Sequence, residues 1–205
     1  MKIGPLLPCL AFALGCATAS SKAPSAPVSG TVAGSTFTAK GAVATRPPID
    51  TCKHDFGTGP VLLLQIWLSE SFDTAYLRDH PCDAKANSRD IAVYIWKLVD
   101  SGAITPGTYP RRDDSSGGMT VFQAKSDAAC KQALPNLQAE SGAVTIETSD
   151  TMHVIGMLDV IFPGGGRLAG RFEAPVTPSR GSVCQSLGIP GGTDGSGCPT
   201  GRCVP

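Results

Sequence analysis

Two long apolar segments, residues 61–68 and 91–99, place the strongest constraint on what this chain can fold into. Both are apolar at most consecutive positions, so each carries apolar side chains on both faces. A strand with two apolar faces is typical of the middle of a sheet that is covered on both sides. We therefore expect both segments to be central, buried strands.

A second pattern, at residues 144–174, predicts a three-stranded meander. Polar and apolar residues alternate at 144–147, and the chain then turns and returns along 152–162. A further turn rich in glycine leads into a third strand at 168–174. On the middle strand, four apolar residues are predicted to share one face: Val154, Leu158, Val160 and Phe162.

The composition favours many turns between short strands. The chain of 205 residues has 24 glycines and 17 prolines, and only 17% of its residues are charged, which disfavours amphipathic helices. Short helices are allowed only within residues 71–89 and within 126–134, where Pro135 should stop one. We predict an all-β protein, an antiparallel β-sandwich of about nine strands of the jelly-roll or immunoglobulin-like kind, with disulfides and at most one or two short helices.

The N-terminus has the features of an export signal. Lys2 supplies a positive charge, and residues 3–14 are mostly apolar but too few to cross a bilayer, which takes about 20 residues. The run ends in Leu14-Gly15-Cys16, which resembles the lipobox of bacterial lipoproteins. The resemblance implies diacylglycerol on the Cys16 sulfur, cleavage before Cys16 and acylation of the new amino terminus. The alternative is ordinary secretion with cleavage after residues 17–19.

The lipobox resemblance implies a location, and composition together with the strand pattern predicts the organisation of the rest of the chain. We expect a signal peptide at residues 1–15, a lipidated flexible tether at 16–27, a β-sandwich domain at 28–177 and a Gly/Pro-rich tail with cysteines at 178–205. Two or three acyl chains would anchor the protein stably to a membrane. Alanine rather than aspartate follows the lipidated cysteine, which favours the outer membrane of the cell envelope.

Two short segments, at residues 32–37 and 168–174, combine glycine with an aromatic residue. They are similar to segments of uncharacterised β-rich lipoproteins from bacteria with large predatory or soil-dwelling genomes. This resemblance supports the fold and the anchor, and it implies no activity.

The cysteines predict an oxidised, exported domain. Of the eight, Cys9 leaves with the signal peptide and Cys16 takes the lipid. Six cysteines remain, and an even number of cysteines in an exported chain predicts three disulfides. Proximity in sequence favours a Cys198–Cys203 pair in the tail and a Cys52–Cys82 pair, with other connectivities open. The predicted disulfide cysteines are Cys52, Cys82, Cys130, Cys184, Cys198 and Cys203.

One local pattern has the residue types of a metal site. Cys52 and His54 are separated by one residue, as are His80 and Cys82, and two such pairs could supply a tetrahedral zinc site. Exported thiols are normally oxidised, however, and a cysteine in a disulfide cannot bind zinc. A Cys52–Cys82 disulfide with two loop histidines is therefore the preferred interpretation, and we predict no cofactor.

Three aromatic residues on the two long strands, Trp67, Tyr94 and Trp96, form the other candidate site. On a solvent-facing sheet they could stack against a sugar or a peptide, and on an inner face they would be part of the core. Because both faces of these strands are apolar, we prefer the buried arrangement, with a binding surface as the alternative.

These observations favour a lipid-anchored cell-envelope lipoprotein with a non-catalytic binding or structural domain. The sequence has no G-x-S-x-G, H-E-x-x-H or Walker motif. Its 17 basic and 17 acidic side chains balance, which gives no reason to expect nucleic acid as a partner. The expected partners are the membrane, through the lipid, and an envelope protein or glycan. The alternatives are a metal-dependent enzyme module that uses His54 and His80, and carbohydrate binding by the aromatic face.

Overall fold

The computed structural model describes residues 27–47, 50–54, 57–80, 83–98, 103–112, 117–178 and 202–205. These residues form fourteen strands and one short helix. The first strands and the helix are β1 (Ser29–Val32), β2 (Ser35–Thr38), β3 (Gly41–Thr45), β4 (Asp50–His54), β5 (Gly57–Ser69), α1 (Thr74–Asp79), β6 (Ala84–Lys85) and β7 (Arg89–Leu98). The others are β8 (Gly107–Pro110), β9 (Gly118–Ser126), β10 (Gln132–Gln138), β11 (Ser141–Ser149), β12 (His153–Phe162), β13 (Gly166–Thr177) and β14 (Cys203–Val204).

Twelve of the strands form one mixed sheet. Its path runs β10-β9-β7-β5-β3-β13-β12-β11-β8, with β1 paired to β13 and β2, and β4 paired to β5. Neighbours on this path are antiparallel except β13 and β3, which are parallel where Val176 pairs with Ala44 and Thr177 with Thr45. The remaining strands, β14 and β6, form a small parallel pair of their own.

Strand β13 joins two halves of the sheet. Over residues 166–175 it pairs with β12, in what we call the first half, which comprises β1, β2, β8, β11 and β12. Its last two residues pair with β3, in the second half, which comprises β3, β4, β5, β7, β9 and β10. One end of the path also approaches the other, because Arg111, next to β8, forms an isolated bridge with Met119 on β9, the strand that neighbours the end strand β10. The sheet is therefore strongly curled.

One apolar core is shared by both halves of the curled sheet. Leu64, Ile66 and Leu68 of β5 belong to the same buried cluster as the inward residues of β12. The four residues predicted to share a face of β12 are all 0% exposed: Val154, Leu158, Val160 and Phe162. Burial of this apolar surface is the main favourable term in the stability of the fold.

The helix α1 packs against the start of β3. Gly41 makes this approach possible, because a Cβ atom at this position would collide with the backbone of Asp73 and Thr74. The Thr74 hydroxyl accepts a hydrogen bond from the backbone N–H of Ala42, at 3.1 Å. Asp73 caps the helix by accepting from the N–H of Tyr76, at 2.8 Å. Nowhere in the described part of the chain is there a helix with the length and apolarity needed to cross a membrane.

The prediction of a mostly β protein with at most two short helices is confirmed. The sheet itself is mixed rather than purely antiparallel, and the structure has more strands than the predicted nine. The additional strands include β6 and β14, which have two residues each and are too short to give a periodic pattern.

The short helix that the sequence allows within residues 126–134 does not form, because this segment is a turn leading into β10. The Asp127 carboxylate accepts hydrogen bonds from the N–H groups of Ala129 and Lys131, at 2.8 and 2.9 Å. Cys130 adopts a positive φ of 57°. Side-chain bonds of this kind favour a tight turn over a helix, and Gln132 then pairs with Ser126 on β9.

Candidate functional site

The three predicted aromatic residues lie on one face of the sheet, opposite the shared core. Trp67 is on β5 and Tyr94 and Trp96 are on β7, at positions that alternate with the core residues Ile66, Leu68, Val93 and Ile95. Trp96 is buried, at 2% exposure, whereas Trp67 and Tyr94 are half-buried. We call this surface the aromatic face.

The aromatic face contains a second apolar cluster. Leu63 and Trp96 form its buried part, and Tyr94 and Leu98 pack against them. The Tyr94 hydroxyl accepts a hydrogen bond from Gln65 Nε2 at 3.1 Å, and its ring meets Phe122 edge-on at 5.9 Å. Burial raises the pKa of Tyr94 to about 12, so the phenol stays protonated at neutral pH. Sugar binding by this face stays a prediction, with Trp67 and Tyr94 as its more accessible rings.

The aromatic face ends at a half-buried residue, Asp90. The hydroxyls of Ser69 and Ser88 act on this carboxyl group in the direction that lowers its pKa. Its Oδ1 atom is buried and has no hydrogen-bond partner among the described residues. Burial, together with the nearby charge of Glu70, raises the pKa of Asp90 to about 6 in spite of the two hydroxyls.

We expect Asp90→Asn to stabilise the protein at neutral pH. The folded pKa of about 6 lies above the usual 3.8, so the folded state holds the proton more tightly than the unfolded chain. The carboxyl therefore contributes stability at acid pH that is lost as the pH rises from about 4 to about 6. The pKa shift corresponds to a loss of about 3 kcal/mol in the free energy of unfolding at pH 7. An uncharged amide in place of the carboxylate should restore this stability. Urea unfolding at a series of pH values would measure it.

The control for this variant is Asp159→Asn on β12. Arg167 pairs with Asp159 at 2.7 Å and lowers the pKa of its carboxyl. Its contribution therefore has the opposite pH dependence, because it is lost as the pH falls. The parent protein is expected to lose stability as the pH rises from 4 to 6. If Asp90→Asn lost the same amount of stability over this range, the loss would not come from Asp90.

The predicted zinc residues are only partly within the described structure. The backbone of Cys52 pairs with Gly59 and that of His54 with Gly57 in the β4–β5 hairpin. The side chains of Cys52 and His54, and the whole of Cys82, lie outside the described residues. His80 is exposed at the end of α1. Among the described residues, no group of three histidine, cysteine, aspartate or glutamate side chains could hold a metal ion.

A disulfide between Cys130 and Cys203 fastens residues 202–205 to the domain, with the two Cα atoms 5.5 Å apart. The predicted pairing of Cys203 with Cys198 is therefore wrong. Strand β14 pairs with β6, which places Cys203 opposite Ala84. This strand pairing, rather than proximity in sequence, determines which cysteine Cys203 can reach. Cys16, Cys184 and Cys198 lie outside the described residues. We call residues 202–205, together with β6, the C-terminal clip.

Asp83 lies directly before β6 and holds the C-terminal clip by polar contacts. Its carboxylate accepts hydrogen bonds from the Tyr76 hydroxyl at 2.9 Å and from the Arg202 backbone N–H at 3.1 Å. These bonds, that of Arg202 first, hold the pKa of Asp83 below its usual value. Tyr76 lies between the rings of Phe72 and His80, with centroids 4.4 and 4.6 Å away. The sequence carried no signal for this cluster, because Arg202 is 119 residues from Asp83.

No family model, no curated protein and no solved structure matches this chain.

Proposed function

We propose that the protein is a lipoprotein of the bacterial cell envelope, anchored by lipid on Cys16, with a β-domain that has a non-catalytic binding or structural role. The Cys130–Cys203 disulfide is the observation that supports export, because structural disulfides persist in oxidising compartments outside the cytosol. Together with the lipobox-like Leu14-Gly15-Cys16, it favours an anchored, exported protein. The proposed membrane is the outer one, and the proposed partner is an envelope protein or a glycan.

We also propose that the two halves of the curled sheet act as the two layers of a sandwich. Two observations support this arrangement. The shared core takes residues from both halves, and β13 passes continuously from one half to the other. Val28, at 1% exposure, belongs to this core, which agrees with a domain that begins close to that residue.

We expect mass spectrometry of the membrane-extracted protein to find a chain that begins at Cys16 and carries two or three acyl groups. Cys16→Ser should remove the acyl groups and move the protein out of the membrane fraction, because no sulfur is left to accept diacylglycerol. Thiol alkylation before reduction should leave Cys130 and Cys203 unmodified. The full chain, expressed in a bacterium with its own lipoprotein-processing enzymes, is the material for this test.

The matched control is Cys9→Ser, which lies within the predicted signal peptide and should leave the lipid mass unchanged. A soluble chain that begins after residue 19, without acyl groups, would show ordinary secretion instead. Alkylation of Cys130 and Cys203 in the native protein would argue against an oxidising compartment.

A further inference from the structure

The C-terminal clip is held outside the buried core of the domain. Strands β14 and β6 pair with each other in a sheet of their own, separate from the twelve-stranded sheet. Among the described residues, neither of the two buried apolar clusters includes a residue of the clip. Detaching residues 202–205 would therefore remove no side chain from the core.

The strand pairing within the clip is short. The N–H group of Ala84 donates to the carbonyl oxygen of Arg202 at 3.0 Å, and that of Ala86 donates to the carbonyl oxygen of Val204 at 2.9 Å. A typical hydrogen bond in a protein adds only a modest net amount to stability, because the same groups bind water when they are exposed. Two such bonds do not hold a chain end firmly.

The charged contacts of the clip lie at the surface. The Arg202 guanidinium is 3.3 Å from an Asp83 oxygen, and its side chain is 71% exposed. Lys85 donates to an oxygen of Pro205, which is also exposed. Exposed pairs of this kind stabilise little, and ordering four residues costs more free energy than a few surface contacts return. The disulfide to Cys130 therefore decides whether residues 202–205 stay in place.

The two cysteines of this disulfide differ in access. Cys203 is exposed, whereas Cys130 is half-buried and its sulfur lies 3.4 Å from the backbone carbonyl oxygen of Ala84. The turn at Asp127 fixes Cys130, because the N–H of Cys130 donates to the Asp127 carbonyl at 3.0 Å. Exposed disulfides are more easily reduced than buried structural ones, and access governs which sulfur a thiolate attacks. Cys203 is therefore the point of attack.

We propose that the Cys130–Cys203 disulfide is a redox latch, which a dithiol reductant opens by attacking Cys203. The thiolate of the reductant forms a bond to the Cys203 sulfur as the Cys130–Cys203 bond breaks. Cys130 leaves with the electron pair and takes up a proton. The second thiol of the reductant then displaces Cys203, which leaves as a thiol in the same way. The protein gains two thiols, and the reductant becomes a disulfide.

Opening the latch exposes the edge of β6. The N–H groups of Ala84 and Ala86 lose the acceptors on β14, while the Asp83 carboxylate keeps its hydrogen bond from Tyr76. A strand edge with unpaired N–H groups is a site where an extended segment of another chain can pair. The latch does not depend on lipid at Cys16, so it can fail separately from the anchoring proposed above.

The point of attack is tested by exchange of the folded full chain with glutathione, a monothiol. Alkylation of the free thiols followed by mass spectrometry of the peptides locates the mixed disulfide. We expect at least ten times more glutathione on Cys203 than on Cys130, because Cys203 is the accessible cysteine. Equal labelling of the two cysteines, or exchange only after unfolding in urea, would contradict the proposal.

The opening is tested by hydrogen exchange of the full chain before and after treatment with dithiothreitol. We expect the amides of Ala84 and Ala86 to exchange at least tenfold faster after reduction, and at least tenfold faster than the amides of β12. Circular dichroism should show that the fold is retained. The latch is overturned if exchange at Ala84 and Ala86 does not change, or if β12 becomes equally fast.

Two variants separate this disulfide from other effects of the reductant. Replacing both Cys130 and Cys203 with alanine should give the fast exchange at Ala84 and Ala86 without reductant, and dithiothreitol should add nothing further. The matched control is Arg202→Ala, which keeps the disulfide and should stay slow until it is reduced. If the double variant exchanged as slowly as the parent protein, the polar contacts alone would hold the clip, and the proposal would be wrong.

Discussion

Replacing both Cys130 and Cys203 with alanine is expected to lower the free energy of unfolding by about 4 kcal/mol. The two cysteines are 73 residues apart, so the disulfide closes a long loop and strongly restricts the unfolded chain. In the folded state the same change would leave residues 202–205 held only by polar contacts such as those to Asp83. Urea unfolding without reducing agent, followed by tryptophan fluorescence, measures the difference.

The control for the double variant is Arg202→Ala, which keeps the disulfide. Its side chain is 71% exposed and lies 3.3 Å from an Asp83 oxygen, so the loss should stay under about 1 kcal/mol. A double variant as stable as the parent protein would mean that this crosslink does not restrict the chain in solution.

Trp96→Ala is expected to lower the free energy of unfolding by about 4 kcal/mol, because a buried indole would be replaced by a cavity. Trp96 is 2% exposed and packs in the second apolar cluster with Leu63. The control is Met157→Ala on β12, where the side chain is 46% exposed. A substitution at such an exposed position should change stability by less than about 0.5 kcal/mol.

The same variant separates the two interpretations of the aromatic face. A large loss of stability, with no quenching of tryptophan fluorescence by glycans in the parent protein, would assign Trp96 to packing. If Trp96→Ala were as stable as the parent protein and glycan quenching were lost, the aromatic face would be a binding platform.

The elements that could be predicted from sequence are those in which a local pattern and burial agree. The alternation along residues 152–162 correctly predicted which side chains of β12 face the core. The apolar character of residues 61–68 on both faces is explained by two clusters, with Leu64 in the shared core and Leu63 in the second one.

Features that depend on distant partners could not be predicted in this way. The parallel contact between β13 and β3 joins Thr177 to Thr45, and no periodicity within either strand encodes it. The pairing of Cys203 with Cys130 depends on β14 reaching β6. The turn at Asp127 was missed because its two side-chain hydrogen bonds compete with a helix that composition alone allows.

The passage of β13 between the two halves also determines when the protein can fold. Thr177 reaches back 133 residues to donate to the carbonyl of Ala44, and contacts this distant in sequence form slowly. A chain that is synthesised from its N-terminus contains β3 long before β13, the strand that pairs with Ala44 and Thr45, has been made. Until then, the early hairpins have unpaired strand edges that could pair with other chains. The core can close only after β13, a strand near the C-terminal end of the domain, has been made.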